Sequence, residues 1–323
     1  MSTYWSKFPT IEAELNEVTQ FMLESIEDAI PIIKEPIEEI INAGGKMIRP
    51  ALVILGAGFG KNYDRERIIP IAACVEFLHT ATLIHDDIID ESKLRRGIES
   101  VQSKYSKDVA VLLGDYIFAK VFDILAGDYP AELLKNLAKS ILQICQGELS
   151  QYSYRYSNSM DFDKYIEIIA GKTAALFSMS LFSGAYVAEA KNAKMRHLSK
   201  IGYCMGMMFQ ITDDCLDYKH DSYTLGKSAV NDIKQGYVTL PMFYALQNDK
   251  DNILRDLIFE SELTEESLQK IRQKVIDLKG VEHSEEKARE YLNDANKALK
   301  KLRKSENKEV LEYIISSMMS RTF

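Results

Sequence analysis

Apolar residues recur every three to four positions along almost all of this 323-residue chain, and no segment alternates apolar and polar residues between turn signals as a half-buried strand would. That spacing predicts an all-α fold. The prolines stand at positions 9, 31, 36, 50, 70, 130 and 241, mostly at helix starts or links, and none interrupts the charged helical stretch after 241. With 46% apolar residues the chain can bury a large core, and no linker or break in composition divides it. Residues 1–323 therefore read as a single domain.

The net charge is −8 and the basic residues are dispersed, which argues against a nucleic-acid surface. Cys74, Cys145, Cys204 and Cys215 form no C-x-x-C pair, so reduced thiols in a cytoplasmic protein are expected. The first residues, MSTYWSKFPTIEAELNE, lack the basic and apolar regions of an export signal. The longest apolar stretch, about residues 174–188, is shorter than the ~20 residues that cross a bilayer, so no transmembrane segment is expected.

Within this helical pattern, EFLHTATLIHDDIIDESKLRRG at 76–97 ends an apolar run with Asp86, Asp87 and Asp90, and Arg95 and Arg96 follow. Asp86 and Asp90 are i,i+4 on one face, about 5–6 Å apart. Like charges there repel each other, and a helix C-terminus adds to the repulsion. The arrangement repeats in FQITDDCLDY as Asp213, Asp214 and Asp217. Two such clusters need counter-charge, and hard divalent cations with oxygen ligands supply it. Mg²⁺ takes one or two carboxylates and completes its shell with waters and phosphate oxygens, which points to a diphosphate substrate.

Several other residues have two readings at this level. Lys46 and Arg49, after Gly44-Gly45, are either surface charges or a phosphate-binding pair. His79, two turns before Asp86, is either a core histidine or a phosphate contact. His85 adjoins the acids, but no other histidine stands at a spacing that completes a hydrolase metal site. Glu148 and Gln151 lie i,i+3 on one helix face and are either exposed or the buttress of a polar site. In KYIEIIAGKT the upstream glycine of a P-loop is replaced by Ile166, yet Lys172 and Thr173 within an apolar helix still need a polar partner. Lys227 and Lys234 come after the second acidic cluster, in either a phosphate clamp or a plain loop.

Taken together and in this order, GGKMIRP, HTATLIHDDIIDESKLRRG, GDYIFAK, GKTAALF, FQITDDCLDY and LGKSAVNDIKQGYVTLP resemble the trans-isoprenyl diphosphate synthases, the polyprenyl synthase family. The resemblance runs from about Gly44 to Pro241. It implies one large helical bundle around a central cavity, usually dimeric. It further implies that Asp86, Asp87, Asp90, Asp213 and Asp217 bind Mg²⁺, three ions with the bound diphosphate, and that Arg95, Lys172 and Lys227 contact the allylic diphosphate. Thr173 and Gln210 would face the developing cation. Lys46, Arg49, His79 and Arg96 match the isopentenyl diphosphate site of the family. Met47 and Tyr237 depart from the family pattern, where a second arginine and a lysine are common.

Product length depends on where the growing chain is blocked. One helical turn, about 5.4 Å, is close to one extended isoprene unit. Ala81 and Thr82 are small where short-chain members of the family tend to carry an aromatic, so the tunnel is expected to stay open past the first turns; Phe77, or Phe122 on the facing helix, is the residue placed to close it. The expected product exceeds four isoprene units, as in hexaprenyl to octaprenyl synthases. Geranylgeranyl or farnesyl diphosphate is the alternative product. A non-catalytic subunit would have degraded aspartate clusters and a terpene cyclase would not need the isopentenyl set, but a catalytic subunit working with a small partner stays open.

Overall fold

The structure is a computed structural model that describes residues 3–156, 161–219, 229–258 and 263–320. Helix makes up 79% of it, as the periodicity predicts. In chain order the helices are α1 (Pro9–Glu24), α2 (Pro31–Ala43), α3 (Ile48–Ala57), α4 (Arg65–Ile89), α5 (Val101–Lys104), α6 (Lys107–Asp128), α7 (Ala131–Ser153), α8 (Phe162–Ile169), α9 (Ala175–Val187) and α10 (Asn192–Lys219). They continue with α11 (Ala229–Lys234), α12 (Leu240–Asn248), α13 (Ile253–Ile258), α14 (Glu265–Asp277), α15 (Gly280–Leu299) and α16 (Glu306–Ser320). A π-helical turn, Ala170–Ala174, joins α8 to α9. Among the described residues the strands are β1 (Leu94–Arg95) and β2 (Ile98–Glu99), a short antiparallel hairpin that helical periodicity does not foresee.

Two compact units emerge. One comprises residues 1–138, 179–199 and 304–311, and the other 139–178, 200–303 and 312–323. The boundaries at 138/139, 178/179, 199/200 and 311/312 fall inside continuous helices.

The first unit is built on α4. Asp64 caps its start by accepting from the Glu66 amide, and Ile68, Ala72, Val75, Phe77, Leu78 and Ala81 are buried along it. Helices α2 and α3 meet at 78° across the loop after Ala43. Trp5, which is 1% exposed, donates its indole N–H to the Lys46 carbonyl and ties the N-terminal segment to that loop. In the second unit α14 buries Leu268, Ile271 and Val275, a single stripe at helical spacing.

The apolar stretch expected at 174–188 belongs to a longer helix in the structure. Phe162–Val187 spans 26 residues and α4 spans 25, so both are long and apolar enough to cross a membrane by length and composition. In each, 72% of the apolar window is buried inside the protein, and these helices serve as core.

Candidate functional site

The expected residues assemble in two groups, one in each unit. In the first unit Asp86 and Asp90 stand partly exposed at the end of α4, on one face, and Asp90 is the C-cap. Asp87, one residue on, lies about 100° around the axis and is 4% exposed. Its two oxygens accept from Arg95 Nε at 2.9 and 3.2 Å, and Arg95 Nη2 adds a further bond. The sequence reading placed Asp87 among the metal ligands; in the structure its carboxylate is committed to the fork of Arg95.

The hairpin explains how Arg95 and Arg96 are presented. Arg96 and Gly97 are its two turn residues, both with positive φ (52° and 82°), the signature of a two-residue turn whose twist matches the strands. Glycine takes that conformation without cost and arginine does not. Arg96 Nη1 donates to the Gly44 carbonyl, which joins the hairpin to the loop that carries Lys46.

Three further groups on α3 and α4 respond to these arginines. Burial lowers Arg49 to about 10, while Glu76 opposes the shift. His79 is held well below its ordinary range, first by burial and then by Arg49, Arg96 and Arg95. Glu76, 5% exposed, is raised by burial and pulled back by Arg96 and Arg49. Sequence reasoning missed Glu76, although an acid three residues before His79 in an apolar helix was a visible signal. A cavity of ≈160 Å³ lined by Asn42, Gly44, Gly45, Met47, Glu76 and Arg96, among others, opens beside this group. Met47 sits there in a left-handed conformation, φ 51°.

His85 turns away from the acids. Its Nε2 lies 3.2 Å from the Val111 carbonyl and its ring 5.9 Å from that of Phe118, both on α6. Of the chain-length candidates, Phe77 and Ala81 are fully buried and Thr82 donates to the His79 carbonyl. Phe122 is 41% exposed, whereas the neighbouring Val121 is the residue whose carbonyl meets Cys74. Of the two aromatics, Phe77 is the buried one.

The second unit repeats the acid arrangement on α10. Asp213 and Asp217 are partly exposed, and Asp214, between them, is 6% exposed. Asp214 Oδ2 accepts from the Tyr165 hydroxyl at 2.6 Å and Oδ1 from Gln210 Nε2 at 2.9 Å. Burial pushes its carboxyl up to about 7 against those two bonds. Gln210 Oε1 in turn accepts from Thr173 Oγ1 at 2.8 Å, so Thr173, Gln210, Asp214 and Tyr165 form one ordered chain. Lys172 and Thr173 lie on the π-helical turn, a form concentrated at functional sites. Lys172 Nζ is 2.9 Å from Glu148 Oε2 and 3.0 Å from Gln151 Oε1, which decides the two readings of that helix face for a buttress.

Lys227 lies outside the described residues. Lys234 pairs with Glu265 on α14 at the surface and is not presented as a phosphate clamp. Tyr237 is stacked under Arg155, whose guanidinium lies 5.2 Å from its ring centre and also packs on Tyr152 and Tyr156. Arg155 Nε donates to the Gln235 carbonyl at 2.7 Å, a clasp without a short-range sequence signal.

The chemistry of these donors fits Mg²⁺. In each cluster two carboxylates on one helix face are accessible and the middle one is turned into the protein. Among the described residues no three metal-ligating side chains gather tightly enough to hold an ion unaided. A pair of carboxylates completed by phosphate oxygens is the usual Mg²⁺ arrangement.

A family model described as polyprenyl synthetase matches residues 30–275. The heptaprenyl diphosphate synthase component 2 of Geobacillus stearothermophilus is 39% identical over 231 residues, 70% of this chain and 72% of the relative. Among solved structures, a geranylgeranyl pyrophosphate synthase from Lactobacillus brevis matches with a TM-score of 0.93 at 29% identity, covering 99% of each chain. A polyprenyl synthase from Caulobacter crescentus, complexed with calcium and isoprenyl diphosphate, matches with a TM-score of 0.91 at 31% identity over 98% of this chain and 97% of its own.

Proposed function

The chain belongs to the polyprenyl synthetase family, and on that premise we propose that it is a prenyltransferase joining an allylic diphosphate to isopentenyl diphosphate to make a trans-polyprenyl diphosphate longer than C20. The observation that carries this reading is the set of Arg49, Arg95 and Arg96, all three close enough to act on the buried His79, on and beside the helix that ends in the first acid cluster. A cyclase acting on one diphosphate needs no such second anion site.

In this reading Asp86, Asp90, Asp213 and Asp217 hold Mg²⁺, three ions with the bound substrate, and Asp87 orients Arg95. Held there, Mg²⁺ would supply positive charge against the charge that develops on the departing diphosphate. Arg95 and Lys172 bind that diphosphate by charge-assisted hydrogen bonds, which strengthen as its charge grows. Thr173 and Gln210, which are bonded to each other, are the residues assigned to face the allylic cation. Lys46, Arg49, His79 and Arg96 hold isopentenyl diphosphate so that its double bond attacks the cation, and a proton then leaves to the diphosphate. No nucleophilic side chain is required.

We read residues 1–323 as a single domain, because four of the five unit boundaries lie inside a helix. Localisation in the cytoplasm as a soluble enzyme fits apolar helices whose surface is used internally. Leu142, Cys145, Leu149 and Tyr152 are exposed on α7 at 3-4-3 spacing, a seam of the kind that mates with a second helix. We read it as the contact with a second copy of this chain. A native mass of twice 36.8 kDa is the expected result, and a monomer that gains activity only with an added small subunit would replace the homodimer by the two-component arrangement that the relative's name suggests.

The function is tested on the purified chain with Mg²⁺, farnesyl diphosphate and labelled isopentenyl diphosphate, with products sized after removal of the diphosphate. Products of six or more units are expected, because Ala81 leaves the first turns open. A stop at four units, released by Phe77→Ala, would make the chain a geranylgeranyl diphosphate synthase with Phe77 as its floor. Turnover of the allylic substrate without isopentenyl diphosphate would overturn the reading.

A further inference from the structure

The Lys172 ammonium is held by two side chains of a different helix. Three features build that placement. The π-helical turn adds one residue to the helical ladder and so rotates the start of α9 by about 100° relative to a regular helix. Helix α7 approaches this turn backbone to backbone: a Cβ on Gly147 would stand 2.7 Å from the Lys172 amide nitrogen, and one on Gly171 would stand 2.5 Å from the Gln143 carbonyl oxygen. The close approach brings Glu148 and Gln151, one turn of α7, to the Lys172 ammonium at 2.9 and 3.0 Å. The side chains of Lys172 and Glu148 are 27% and 22% exposed, so the pair is screened less than a surface ion pair.

A lysine side chain is a flexible stem ending in a point charge, and fixing it when substrate arrives costs rotamer entropy. An ammonium already located by two acceptors avoids most of that cost. A carboxylate beside it also keeps the charge balanced before a diphosphate binds. We propose that Glu148, seconded by Gln151, is a positioning residue that cradles the Lys172 ammonium in register for the allylic diphosphate. The proposal rests on the reading of Lys172 as a diphosphate contact. It concerns only the allylic substrate, because isopentenyl diphosphate is assigned to residues of the other group.

The test is steady-state kinetics on the full-length enzyme, with each substrate varied in turn, for Lys172→Ala, Glu148→Ala, Glu148→Gln and the double variant Glu148→Ala/Lys172→Ala. Glu148→Ala is expected to lower kcat/KM for the allylic diphosphate roughly tenfold or more, the scale of a lost hydrogen bond to a charged group. The KM for isopentenyl diphosphate should stay within about twofold. Glu148→Gln keeps an acceptor of the same shape and should recover most of the loss. Because Glu148 acts through Lys172, the double variant should be no worse than Lys172→Ala alone. Losses that multiply in the double variant, or an unaffected Glu148→Ala beside an impaired Lys172→Ala, would overturn the cradle and leave the reading of Lys172 intact. An unaffected Lys172→Ala would overturn both. Should Glu148→Ala fail to fold, Gln151→Ala removes the second acceptor, and a loss of about threefold on the allylic side alone is expected from it; no loss overturns the proposal.

Discussion

Asp90→Asn is expected to lower kcat about a thousandfold while leaving the protein as stable as before, or slightly more so. The charge stabilisation a metal ion supplies is worth several kcal/mol, and each 1.4 kcal/mol is about tenfold in rate. A neutral amide at position 90 removes half of the accessible carboxylate pair of the first cluster. Stability should move the other way. Asp90 is a partly exposed C-cap four residues from Asp86, at the helix end where the dipole disfavours negative charge. Relieving that repulsion is worth a few tenths of a kcal/mol. Rates measured over a range of Mg²⁺ concentrations, together with a thermal melt, check both halves. Activity within tenfold of the parent at saturating Mg²⁺ would remove Asp90 from the metal site.

Arg95→Ala should do what Asp90→Asn does not, and unfold the protein more readily. It leaves the Asp87 carboxylate, whose side chain is 6% exposed, without the guanidinium that takes both its oxygens. Breaking a buried pair from one side costs about 3–5 kcal/mol, and the 21% exposure of Arg95 argues for the lower end. The melting temperature should then fall by roughly 5–10 °C. The pair replacement Asp87→Asn/Arg95→Met should recover much of that stability without recovering activity, since the diphosphate contact is still missing. A melt for Arg95→Ala that overlays the parent would mean that water, and not Arg95, satisfies Asp87.

Much of the geometry around the acids was present in the spacing. The i,i+4 relation of Asp86 with Asp90, and of Asp213 with Asp217, comes from 3.6 residues per turn, and the same arithmetic turns Asp87 and Asp214 away from their neighbours. What those middle aspartates meet was not present. Arg95 reaches Asp87 because a two-residue hairpin folds back after α4, and Tyr165 reaches Asp214 from 49 positions away. Phe122 was grouped with Phe77 as an aromatic on a facing helix, yet one residue of rotation puts Val121 inward and Phe122 outward.

Residue order alone was enough for the helical class, the two acid clusters and the family, because each depends on the identity of nearby residues and a period set by the backbone. The partners of the charges depended on the folded chain: Arg95 for Asp87, Glu148 and Gln151 for Lys172, Arg155 for Tyr237, and Glu76 among Arg49, Arg96 and His79. These pairings arise where separate helices and loops come within hydrogen-bonding or Coulombic range, and burial then sets their strength by removing water. Neither distance nor burial has a counterpart in the local spacing of residues, which is why Arg49, His79, Glu148 and Gln151 each had two readings until their surroundings were in view.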